Sequence, residues 1–127
     1  MKNIVVGSLN MDLVIKAPYM PDNGVTITGS DFMTNPGGKG ANQAAAIGKC
    51  GGTCIMVGCV GNDFGSDLIS ALKSCRVNTD YIVKRSDTAS GIAIIIVVNG
   101  DNSIILNKGA NLFLDKETID KALSKCN

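Results

Sequence analysis

Histidine and tryptophan are absent from this sequence, and aromatic residues make up only 4% of it. Without an imidazole there is no ordinary base to activate a cysteine or serine nucleophile, and His-containing zinc sites are excluded. The cysteines Cys50, Cys54, Cys59, Cys75 and Cys126 are odd in number and include no Cys-x-x-Cys pair. They read as small buried hydrophobes in a reducing compartment rather than as disulfides or metal ligands. Charge of one sign is also missing. Twelve basic residues face 11 acidic ones, so no field gathers nucleic acid or an acidic membrane. The longest apolar run, residues 92–98, is far short of a bilayer span. Residues 1–3 lead straight into Ile4-Val5-Val6-Gly7, with no signal-peptide core. The expectation is a cytoplasmic protein without nucleic-acid or membrane partners.

Hydrophobic residues make up 45% of the 127, enough to bury the core of one domain. Ile4 to Leu9 reads as a buried strand of a parallel sheet. Leu13-Val14-Ile15 and the alternating Val25-Thr26-Ile27-Thr28, continuing toward Met33, flank a Pro/Asn/Gly turn and read as a hairpin. A helix is predicted from Gly37–Gly40 to Lys49, ended by Gly51-Gly52. Thr53 to Val60 reads as a second buried strand, followed by a Gly61-Asn62-Asp63 cap, a helix from Phe64 to Cys75, and a short strand at Tyr81-Ile82-Val83. Asn99-Gly100 between two apolar runs is a strong hairpin signal, and Asp115 caps a last helix through Leu123. The pattern is α/β: a layered parallel core with separate antiparallel strands.

Two clusters could carry chemistry. Asn10-Met11-Asp12 follows the first strand, at the carboxyl end where open α/β sheets bind ligands. A carboxylate accepts from neighbouring hydroxyls and a carboxamide both donates and accepts, which suits a sugar diol. The same residues also serve simply to turn the chain out of the strand. Gly37-Gly38-Lys39-Gly40-Ala41-Asn42 offers bare backbone amides at a helix mouth, with Lys39 adding a cation. A tight loop-to-helix turn is the competing reading. The run lacks phosphate-loop spacing, since Gly40 stands where a magnesium-binding hydroxyl belongs, and no Gly-x-Gly-x-x-Gly fingerprint follows the first strand.

Gly7-Ser8-Leu9-Asn10-Met11-Asp12, Gly37-Gly38-Lys39-Gly40-Ala41-Asn42-Gln43-Ala44, Gly61-Asn62-Asp63-Phe64-Gly65, Thr88-Ala89-Ser90-Gly91-Ile92-Ala93 and Gly109-Ala110-Asn111 together resemble the amino-terminal part of the ribokinase branch of the PfkB-type carbohydrate kinase family. The resemblance runs in order over residues 1–127. It implies one ribokinase-like domain: a three-layer parallel α/β sheet, here partial, with a small antiparallel β-sheet lid of strands at about 13–18, 25–34, 91–98 and 103–107. It further implies ATP-dependent phosphorylation of D-ribose, with Mg2+ and a monovalent cation such as K+ in the complete enzyme. Asn10, Asp12, Gly38, Lys39 and Asn42 would hold sugar hydroxyls, with Met11, Gly40 and Ala41 lining the site mostly through backbone. Dimerisation through the lid strands is implied too. The catalytic aspartate, nucleotide site and cation site of such enzymes belong to segments beyond these motifs. No catalytic, cofactor or metal residue is therefore assigned here, and this chain alone is expected to be inactive. The alternatives are a non-catalytic sugar-binding or lid-mediated assembly module, a truncated fragment, or a kinase for another sugar or nucleoside.

Overall fold

The computed structural model describes residues 2–125; Cys126 lies outside them. Among the described residues are two sheets. Strands β1 (Lys2–Val6), β4 (Thr53–Val60) and β5 (Val77–Lys84) form a parallel sheet in the order β1-β4-β5. Strands β2 (Asn10–Lys16), β3 (Ser30–Gly37), β6 (Gly91–Val98) and β7 (Asp101–Asn107) form the second, in the order β3-β2-β6-β7. Helices α1 (Lys39–Lys49) and α2 (Gly65–Ser74) cover one face of the parallel sheet, and α3 (Lys116–Leu123) covers the other. The three-layer core is the expected one.

Strand β4 shows why the layers hold. Its side chains alternate, as a strand's must. Cys54, Met56 and Val60 enter the core beneath α1 and α2, where Leu68 and Leu72 meet them. Ile55 and Val57 point the other way, toward Ala122 and Ile119 of α3. Met56 is fully buried, and burying a side chain of this size contributes on the order of 1.5–3 kcal/mol. Strand β1 departs from expectation. It ends at Val6, and Val6 is 45% exposed. Among the described strands β1 pairs only with β4, so one of its edges has no neighbour. Leu9 is buried, but from a loop.

The second sheet is the expected lid, with antiparallel hairpins at both edges around a parallel centre. Its central pair, β2 and β6, is parallel, with Asn10 opposite Gly91 and Lys16 opposite Val97. The cause is topological: β2 follows core strand β1 and β6 follows core strand β5, so both leave the parallel core in the same sense. Each then doubles back as a hairpin, to β3 and β7. The lid boundaries also shift. Residues 25–29 are not a strand; the Val25 amide closes a turn onto the Asp22 carbonyl, and pairing with β2 begins only at Ser30. Alternation without a partner strand did not suffice there. Pro36 is tolerated because β3 is a sheet edge.

The turn at Asn99 and Gly100 has φ of 49° and 83°, the two left-handed residues that such a two-residue hairpin needs. Strand β5 runs longer than the three residues expected. Asp115 caps α3 by accepting from the Thr118 amide at 2.8 Å. Gly48 is buried in α1, where an added Cβ would collide with the Cys75 carbonyl oxygen at the end of α2. Gly48→Ala is therefore expected to destabilise the fold by about 1–3 kcal/mol in urea unfolding, despite a helix-propensity gain of up to about 1 kcal/mol. A stabilised variant would show that the α1–α2 contact yields freely.

Candidate functional site

Asn10 and Asp12 do not trail the first strand; they open β2 and share one face of it. Residues 7–9 link β1 to β2, and the first turn of α1 rests on them. The Ala41 amide donates to the Ser8 carbonyl at 3.1 Å. Gly38, with φ of 98°, precedes the helix, and a Cβ there would sit 2.6 Å from the Ser8 oxygen. Glycine lets the two backbones touch. As the first helical residues, Lys39 and Gly40 have N–H groups without intrahelical acceptors.

Between this floor and the end of β7 lies a cleft of about 420 Å³ lined by Ser8, Asn10, Gly38, Lys39, Asn42, Leu106, Lys108 and Asn111. Four of the residues singled out in the sequence thus meet there: Asn10, Gly38, Lys39 and Asn42. Gly40 and Ala41 are buried behind them, and Met11 points into the core. The Asp12 carboxylate is off the cleft lining, against Gly37, where an added Cβ would stand 2.7 Å from Oδ2. Burial pushes its pKa above the ordinary carboxylate value.

Asn111 and Lys108 escaped the sequence reading as site residues. Asn111 belongs to a 3₁₀ helix, Gly109–Phe113, that no periodicity announced. Its Oδ1 accepts from the Leu9 amide at 2.9 Å, while its Nδ2 lies 3.1 Å from the Leu9 oxygen, 2.9 Å from the Lys108 oxygen and 2.8 Å from Asn10 Oδ1. A second tie holds the root of β6. Asp63 does not occupy the N-cap of α2, which is Phe64. Instead Asp63 Oδ1 accepts from the Phe64 amide at 2.7 Å and the Ser90 amide at 2.8 Å, and Ser90 Oγ accepts from the Gly61 amide at 2.8 Å. Burial works to raise the Asp63 pKa, but hydrogen bonds from Ser90 and Phe64 outweigh it and hold the carboxyl below its usual range.

A sequence model of the pfkB family carbohydrate kinases matches residues 1–127. The chain belongs to that family. It is 48% identical over 113 residues to a ribokinase of Bacillus subtilis, covering 87% of this chain and 39% of that protein. It is 43% identical over 127 residues to a deoxyribokinase of Salmonella typhi, covering 96% and 42%. The structure of Arabidopsis thaliana ribokinase complexed with ribose and ATP superposes with a TM-score of 0.80 at 38% identity, covering 85% of this chain and 36% of that one. The chain thus spans about 40% of the length of the carbohydrate kinases it matches. No described helix is long and apolar enough to cross a membrane.

The Asp63 tie predicts a pH signature. A carboxyl depressed in the folded state contributes stability above its unfolded pKa of about 3.9, lost as pH falls through the lower folded value. The carboxylate is solvent-exposed, so Asp63→Ala is expected to cost only about 1–2 kcal/mol at neutral pH. That difference should shrink on acidification below about pH 4. Urea melts of both proteins across pH check this; a pH-independent difference would contradict it.

Proposed function

We propose that this chain carries the sugar-binding and lid part of an ATP-dependent kinase that phosphorylates ribose to ribose 5-phosphate. The observation that carries the reading is the meeting of two separate motifs in one cleft: Asn10 at the root of β2, and Gly38, Lys39 and Asn42 at the mouth of α1. The carboxamides donate and accept, Lys39 and the helix-mouth amides donate, and Asp12, next along the same face of β2 though outside the cleft lining, is assigned a hydroxyl at the cleft's edge. That inventory fits an uncharged polyhydroxylated ligand. Met11, Gly40 and Ala41 shape the site from behind through backbone. Relatives named for ribose and deoxyribose support a pentose and leave 2-deoxyribose as the second reading.

ATP, with Mg2+ and a monovalent cation, supplies the phosphoryl group and charge neutralisation in the proposed reaction. No residue of this chain is assigned to those groups. Among the described residues no cluster of three or more His, Cys, Asp or Glu could hold a metal ion. What the chain itself does is hold and orient the sugar under a lid. The lid also exposes Phe32 and Ile105, at 65% each, apolar side chains we assign to association with a second copy.

Calorimetric titration tests the sugar reading, with fructose and adenosine as controls. Ribose-selective heat is expected, even at millimolar affinity, worth about 4 kcal/mol. Asp12→Ala should weaken binding by about 2 kcal/mol, roughly thirtyfold. Because the Asp12 pKa is raised, ribose affinity should begin to fall on acidification above the ordinary aspartate pKa of about 3.9. No heat from a folded sample, or a preference for adenosine, would contradict the assignment. Light scattering should give a dimer that Phe32→Asp with Ile105→Asp converts to monomer; a wild-type monomer would reject the lid contact.

A further inference from the structure

We infer that Asn111 is a positioning residue that locks the Asn10 carboxamide in one orientation, oxygen held by the protein and NH2 free for the cleft. The inference deepens the sugar-site reading and rests on it only for the identity of the ligand.

The argument runs through the backbone. The Leu9 N–H can only donate, and it meets Asn111 Oδ1 at 2.9 Å. The Leu9 and Lys108 carbonyls can only accept, and they lie 3.1 and 2.9 Å from Asn111 Nδ2. Turning the Asn111 amide over would set its oxygen against two carbonyls and its NH2 against an N–H, so these backbone groups fix its sense. The two N–H hydrogens of Asn111 serve three acceptors, one hydrogen being shared, and the third acceptor is Asn10, which meets this donor with its oxygen 2.8 Å away. The Asn10 NH2 group, without a hydrogen-bond partner among the described residues, is left for a ligand. Gly91 makes the arrangement possible, because an added Cβ there would collide with both Asn10 Oδ1 and Asn111 Nδ2.

The consequence is a polarity code on one face of β2. Asn10 reads a ligand oxygen through its lone pair, as an acceptor, whereas the Asp12 carboxylate reads a hydroxyl through its hydrogen. A pair of neighbouring hydroxyls, one accepting and one donating, satisfies both. Asn10→Asp keeps an oxygen for Asn111 but presents the cleft with an acceptor, so the code is reversed while the tie survives.

The test is NMR on the 13C,15N-labelled chain, reading couplings transmitted across hydrogen bonds. The expected correlation joins Asn111 15Nδ2 to Asn10 13Cγ. A correlation from Asn10 15Nδ2 to Asn111 13Cγ would overturn the inference, as would its absence while the Asn111-to-Leu9 carbonyl correlation is seen. Added ribose should shift the Asn10 side-chain NH2 signals. The coupling without any ribose shift would reject the sugar reading and leave the positioning role standing. In the Asn10→Asp variant the coupling should persist to the new carboxyl carbon with unchanged thermal stability, while ribose binding weakens about tenfold or more. Undiminished ribose binding in that variant would overturn the proposed donor role.

Discussion

Main chain against main chain, the first turn of α1 rests on the loop between β1 and β2, and the candidate site depends on that contact. A Cβ on Gly40 would stand 2.8 Å from the Gly7 Cα, and one on Gly38 2.6 Å from the Ser8 oxygen. No side chain fits between. The Ala41-to-Ser8 hydrogen bond then sets the helix at a fixed height above the loop. The floor of the cleft is consequently backbone, with helix-mouth amides beside the root of β2. Such a floor is preorganised, because its donors are held by the fold and need not be ordered when a ligand arrives.

The lid is tied to this floor at both roots. Asn111 holds residues 9 and 10 where β2 departs, and Asp63 with Ser90 holds the start of β6. Between the two roots β2 and β6 pair in parallel, so the lid is joined to the core by two strands that leave it side by side. Both ties are made by polar side chains that reach across the sequence to backbone, a combination that fixes direction as well as distance.

How much of this was legible in the sequence depended on range. Local chemistry was clear: Asn99-Gly100 called its hairpin, Asp115 its helix cap, and Gly37 to Gly40 the opening of α1. Strand β4 was visible as a continuous apolar run. Long-range pairing was not. Nothing local says that β2 lies beside β6 rather than only beside β3, so the lid read as antiparallel. Residues 25–28 alternate well yet have no partner, and the chain uses them as a turn and connection. Asn111 makes its decisive bonds with residues 9 and 10 at the far end of the chain. The Gly-Ala-Asn string could be noticed, but its partners could not be deduced. The two separate clusters, Asn10-Met11-Asp12 and the glycine-rich run, were found by chemistry; their meeting in one cleft is a product of the fold.

The most direct measurement of the central claim is a crystal structure of the chain grown or soaked with ribose. The account places the sugar between the β1–β2 loop and the mouth of α1, in contact with Asn10, Lys39 and Asn42. Ribose bound instead in the groove between α1 and α2, lined by Ala45, Leu68 and Cys75, would contradict it. So would well-ordered crystals whose cleft holds only solvent at saturating ribose.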